Sequence, residues 1–144
     1  MSKTQQEIQV LANEVEAVAD RLHDLADEST LTSEQSLKII GEEEALRDKL
    51  EALTHEEIAL HLKEISGALE ALKQVNKDLK ETKKVLSELG KAAKVIDKVI
   101  KTAGALVGAV VAVIASPSNP AGVLPALTTL TTSITELVQS AQDS

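Results

Sequence analysis

The chain has no cysteine, no phenylalanine, no tyrosine and no tryptophan among its 144 residues. The lack of cysteine excludes disulfides, thiol nucleophiles and thiolate metal sites, and it leaves the redox compartment unreadable. The lack of aromatics means that a core must be built from Leu, Ile, Val and Ala. That composition suits helix packed on helix and argues against a β-sandwich or an α/β enzyme. It also removes the rings on which nucleic-acid bases stack. Arginine occurs only at Arg21 and Arg47, and the net charge is −8, so nucleic acid is not an expected partner. Proline is confined to Pro117, Pro120 and Pro125, which leaves the first 116 positions free of helix breakers of that kind. The start, Met1-Ser-Lys-Thr-Gln-Gln-Glu7, lacks the apolar core of a cleaved signal peptide. Two localisations fit: secretion without such a signal followed by association with a target membrane, or the cytoplasm.

Charge is missing from one long stretch. Thr102 to Thr135 carries none in 34 positions. Before it, residues 1–60 hold 15 acidic and 5 basic residues, and residues 61–101 hold 6 acidic and 10 basic ones. After it come only Glu136 and Asp143. An acidic half, a lysine-rich middle and an uncharged end follow one another along the chain.

What is present is helical periodicity. Thr4-Gln-Gln-Glu7, Thr32-Ser-Glu-Gln35 and Thr54-His-Glu-Glu57 have the spacing of capping boxes, whose side chains satisfy the free amides of a helix start. Ile8, Leu11, Val15, Val18, Leu22 and Leu25 alternate spacings of three and four, a narrow apolar seam on one helix. Leu37, Ile39, Ile40, Leu46, Leu50 and Leu53 form a less regular second pattern, on a helix expected over 33–53 after a first over 4–28. Then Ile65, Leu72, Leu79, Leu86, Ala93, Ile100, Val107 and Ile114 recur at a strict seven-residue interval, with Val75, Leu89, Ile96, Ala103 and Val110 three residues after members of the series. The pattern predicts one helix over 55–115, roughly 90 Å long at 1.5 Å per residue, with a weak point at Ser87–Gly90. Ser116-Pro-Ser-Asn-Pro120 is a turn, and Pro125 suits the first turn of a last helix over 124–141. The expected fold is therefore all-α: an elongated helical bundle or coiled coil, a single domain over 1–144, with one very long helix. Its amphipathic helices span 4–101, and an uncharged apolar hairpin head spans 102–135.

The apolar run Ala103–Ala115 is 13 residues long, short of the roughly 20 that a membrane span needs. A run of that length is also what a buried core helix shows. Two observations favour lipid. The run is apolar on every side, which requires cover on every side, and the N-terminal helices offer only narrow seams. The missing aromatic belt argues against a permanent span more than against a conditional one. Leu106, Val107, Val110, Val111, Val113, Ile114, Val123 and Leu124 are the candidates to enter lipid or to form an oligomer interface. Lys94, Lys98 and Lys101, at the head of the run, are the candidates for lipid headgroups. The wider lysine series also reads as a solvated face opposite the acidic N-terminal helices.

Chemistry is sparse. His61 lies four residues after Glu57, and His23 and His55 are the other histidines; surface positions explain all three more simply than a metal does. Glu14, Glu16, Asp20 and Asp24 read as solvating carboxylates. No nucleophile stands at a recognisable spacing from a base, and no Gly-rich phosphate loop or cofactor motif is present, so neither catalysis nor a cofactor is expected.

Heptad helices interrupted by one uncharged Gly/Ala/Val-rich hairpin with a Pro turn, here Lys94 to Pro125, resemble the α-helical pore-forming toxins of the cytolysin A and haemolysin BL type, including their multi-component relatives. The match covers about a fifth of the chain, and the chain is less than half the usual length of a full toxin subunit. The resemblance implies a small component or relative that is soluble until triggered and then inserts its hairpin as part of a lytic assembly. Its expected partners are further copies of itself in the soluble form, a lipid membrane and other toxin components. The alternative is a non-membrane coiled-coil adaptor, secretion accessory or chaperone-like oligomer whose apolar end meets protein.

Overall fold

The stripes of residues spaced three and four apart become the buried faces of five long helices. A computed structural model describes residues 2–143. Among these it has seven α-helices, one 3-10 turn and no strand. Helix α1 is Lys3–Ala26 and buries Ile8, Leu11, Val15, Val18, Leu22 and Leu25. Helix α2 is Ser33–Leu53, with Ile39, Leu46 and Leu53 fully enclosed. A short α3, Glu56–Leu62, turns the corner. Helix α4, Ala68–Ser87, buries Leu72, Val75, Leu79, Thr82 and Leu86. A short α5, Leu89–Lys94, leads into α6, Ile96–Ile114. After the 3-10 turn Pro120–Gly122 comes α7, Val123–Asp143, which buries Val123, Leu127, Leu130, Ile134, Leu137 and Ala141. Each fully enclosed leucine contributes roughly 1.5–3 kcal/mol, and no aromatic is needed to fill the interior.

The helix starts differ in detail from the capping pattern. The first box is Ser2 with Gln5, two residues earlier than Thr4 with Glu7: Ser2 Oγ accepts from the Gln5 amide at 3.1 Å and Gln5 Oε1 accepts from the Ser2 amide at 3.0 Å. Ser2 has the extended backbone a cap requires, whereas Thr4 is already buried in the first turn. Thr32 and Gln35 form their box as expected, at 3.1 Å and 2.9 Å. At the third start His55 is the cap, its Nδ1 accepting from the Glu57 amide at 3.3 Å.

The stretch 55–115 is not one helix. It is divided into α3, α4, α5 and α6. Gly67, at φ +84°, makes the first division in the left-handed conformation that only glycine adopts without strain. The others are single residues, Glu88 (φ −99°, ψ 85°) and Val95 (φ −112°, ψ 32°). They let the chain fold back, so that α6 packs beside α4's neighbours instead of extending beyond them. A Cβ at Gly67 would meet only Leu124 Cδ1, at 3.9 Å. Gly67→Ala therefore has room, and its whole cost is backbone strain; a loss of about 1–2 kcal/mol in urea denaturation is expected.

Helix α1 packs on α2 and α4, α6 packs on α2 and α7, and α4 packs on α7, which closes a ring of five helices. Polar contacts set their directions. Asn76 Nδ2 donates to Glu7 O at 2.9 Å and Arg21 Nε to Ser87 Oγ at 3.0 Å, so α1 and α4 run parallel. Arg47 meets Asp20 at 2.9 Å and His23 meets Glu43 at 3.2 Å, so α2 runs back along α1. Thr102 Oγ1 donates to Ser133 O at 3.2 Å, and α6 and α7, packed together with only residues 115–122 between them, form an antiparallel hairpin.

Candidate functional site

The hairpin α6–α7 is built from two stripes. Ile96, Val99, Ala103, Leu106, Val110 and Val113 of α6 point into the ring, as do the buried residues of α7. Of the candidates read from the sequence, Leu106, Val110, Val113 and Val123 are enclosed by the chain's own helices. Val107 and Ile114 are half-buried against the core, and Leu124 is half-buried near Gly67. Only Val111 is openly exposed, at 42%. The sequence reading has these residues needing cover from outside the chain. The ring supplies it for the inner face, because α2 and α4 flank the hairpin on both sides.

The outer face is the distinctive part. Gly104, Gly108 and Val111 on α6 and Thr128, Thr129, Thr132 and Thr135 on α7 are exposed. No charge stands among them. The outer faces of other helices in the ring are unlike this one. Helix α1 exposes Glu16, Asp20 and Asp24, and α4 exposes Lys73, Lys77, Lys80 and Lys84. A Cβ at Gly108 would meet nothing within 4 Å, so packing inside the chain does not require glycine there. One threonine hydroxyl turns back onto its own helix: Thr135 Oγ1 donates to Thr131 O at 3.0 Å. Among the described residues the helical stretch Pro120–Asp143 is long and apolar enough to cross a membrane by length and composition, a property it shares with core helices of soluble bundles.

The three candidate headgroup lysines divide. Lys101 lies 3.0 Å and Lys98 3.7 Å from Glu136 on α7, so both are engaged in clamping the hairpin's open end. Hydrogen bonding and the charge of Lys101, with the charge of Lys98, hold the Glu136 carboxyl below the ordinary carboxylate range. The stability this clamp adds is present above that range and is lost as pH falls through the lowered value. Lys94 is exposed, with no ion pair among the described residues. Lys73, Lys77 and Lys80 on α4 are likewise unpaired. Burial pushes the Glu42 carboxyl of α2 upward, where it stands over Gly104, with Oε2 3.9 Å from the position of a Cβ there.

Sequence reading missed the buried polar pairs. Glu14 is not a solvating carboxylate: its side chain is 10% exposed, and Lys83 Nζ lies 3.0 Å from Oε1 and 2.9 Å from Oε2. Glu43, at the same exposure, accepts from Arg47 Nε at 2.8 Å and meets His23 Nδ1 at 3.2 Å. The signal was available in the seams, since Glu14 precedes the seam residue Val15 and Lys83 follows Thr82. His61 Nε2 is 4.0 Å from Glu57 Oε1 on an open surface. Among the described residues no three His, Asp or Glu side chains gather as a metal site would require. Comparison with protein-family models, with curated proteins and with solved structures gives no match.

Proposed function

We propose that this protein engages membranes: a helical bundle, soluble until triggered, that releases the α6–α7 hairpin into lipid as part of a pore-forming or lytic assembly. One observation carries the reading. The hairpin is uncharged on the face turned to solvent as well as on the face turned inward, from Thr102 to Thr135. An ordinary bundle helix has its charges on the outer face, as α1 and α4 do. A hairpin free of charge all round can leave the ring without taking an ion into hydrocarbon, which would cost about 2.5–3.5 kcal/mol for each Lys, Arg or Asp near the bilayer centre.

Flotation with vesicles and release of a trapped dye test this reading. Val111→Asp and Thr132→Asp place a charge on the outer face, where the folded bundle tolerates it. Both substitutions are expected to remove flotation and release while leaving the helical circular dichroism unchanged. Flotation that persists in both variants would sink the lipid assignment. The second reading, an adaptor or chaperone-like oligomer whose uncharged face meets protein, draws support from Leu37 at 68% and Ile40 at 37% exposure on α2, outside the hairpin. It predicts a stable oligomer by light scattering that ignores vesicles and that Leu37→Lys dissociates.

A further inference from the structure

The seven-residue series and the folded chain disagree, and the disagreement is informative. Leu72, Val75, Leu79, Thr82, Leu86, Leu89, Ala93, Ile96, Ile100, Ala103, Val107, Val110 and Ile114 alternate spacings of three and four from one end of 68–114 to the other. Within α4 the bundle uses this series as its core face. Within α6 it uses only half of it. Ile96, Ala103 and Val110 remain buried, but their partners are Val99, Leu106 and Val113 instead of Ile100, Val107 and Ile114, which are half-buried at the side. Helix α6 therefore carries two apolar registers one residue apart. The bundle uses one of them. The other continues the register of α4.

Each of the two divisions between these helices is a single residue, although together they turn the chain back on itself. Neither Glu88 nor Val95 is glycine or proline. The first helical bond of α5 and of α6 is accepted by the dividing residue itself: the Ala92 amide donates to Glu88 O at 3.0 Å, and the Val99 amide to Val95 O at 3.1 Å. The main change needed is in ψ, from 85° at Glu88 and 32° at Val95 to about −42°. Gly90, between them, has open space around its α-carbon.

We infer that Glu88 and Val95 are hinges, and that on a membrane α4, α5 and α6 straighten into one helix over 68–114, roughly 70 Å long. The second register then completes a continuous stripe with α4, and the hairpin tip is carried away from α1 and α2. This rests on the membrane-engaging reading and supplies its conformational step.

The chain has no native cysteine, so spin labels at Lys73→Cys and Gly108→Cys report the change directly. Both sites lie toward the same end of the bundle, within about two interaxial spacings, roughly 20 Å. In a straight helix 35 residues separate them by roughly 52 Å. Distances by pulsed electron resonance, in buffer and with phosphatidylcholine–phosphatidylglycerol vesicles, are expected to gain the long component on vesicles. Leu89→Pro puts proline at the first position of α5, which the bundle tolerates and a straight helix does not; it should keep the short distance and lose the long one. Gly90→Ala should raise the long fraction, up to about fivefold, because glycine is costlier within a long helix than near a helix start. A distribution that stays short on vesicles overturns the hinge, whether or not the protein floats. A long component that Leu89→Pro leaves intact also overturns it. Flotation is read separately: protein that floats with the short distance refutes the hinge alone, and protein that lengthens without floating supports the hinge and refutes lipid insertion.

Discussion

Val110→Asp unfolds the bundle, whereas Val111→Asp, one residue further on, leaves it standing. Val110 is fully enclosed and Val111 is 42% exposed. A carboxylate at 110 would be enclosed in the hydrophobic core of the ring. An unpaired charge in such a place costs several kcal/mol, a large part of the 5–15 kcal/mol that holds a domain together. Loss of helical circular dichroism or aggregation on expression is the expected outcome at 110. At 111 a shift within about 1 kcal/mol is expected in urea denaturation. The pair also decides how lipid assays are read, since a variant at 110 that fails to bind vesicles has simply failed to fold. Equal stability of the two variants would show that the inward face of α6 is not where the ring places it.

Removing Lys83 is the second large effect. Lys83→Met leaves Glu14 turned inward between α1 and α4 without its cation, and a loss of about 2–4 kcal/mol is expected, toward the lower end because the Lys83 side chain is 25% exposed. The double variant Glu14→Leu/Lys83→Met should recover most of that loss, since apolar residues of similar volume fill the seam without any desolvation cost. A double-mutant cycle in urea measures the coupling. If Lys83→Met alone costs less than about 0.5 kcal/mol, the pair is a surface contact and the α1–α4 seam is held by its leucines alone.

The two effects mark what periodicity could and could not reveal. The seam of α1, from Ile8 to Leu25, was legible because all six residues face one way and nothing competes with them. The bounds of α2 were legible because Thr32 and Gln35 close their box and Thr54 ends the run. The course of 55–115 was not. A seven-residue interval reports that residues could share a face, and it is silent on whether the chain folds back between them. Tertiary packing on α2 and α7 decides that, through single residues: Glu88, which falls within the weak point Ser87–Gly90 that Gly90 marks in the sequence, and Val95, which carries no breaker signature. The hairpin was legible as an object, down to its Pro turn, because an absence of charge is visible without knowing a neighbour. Its cover was not, because α2 shows Leu37 and Ile40 as apolar in sequence while folding exposes them, and the burial of Ile39, Leu46 and Leu53 toward the ring emerges only once α1 and α6 stand on either side.

The ring has a consequence for how the protein is made. Helix α7 fills the place between α4 and α6, and of the five long helices it is the last to leave the ribosome. Until it arrives, a newborn chain holds an open trough of leucine and valine with no fifth wall. Holding chaperones bind such surfaces, and synthesis stalled before Val123 should yield a species that they retain and that the finished chain escapes.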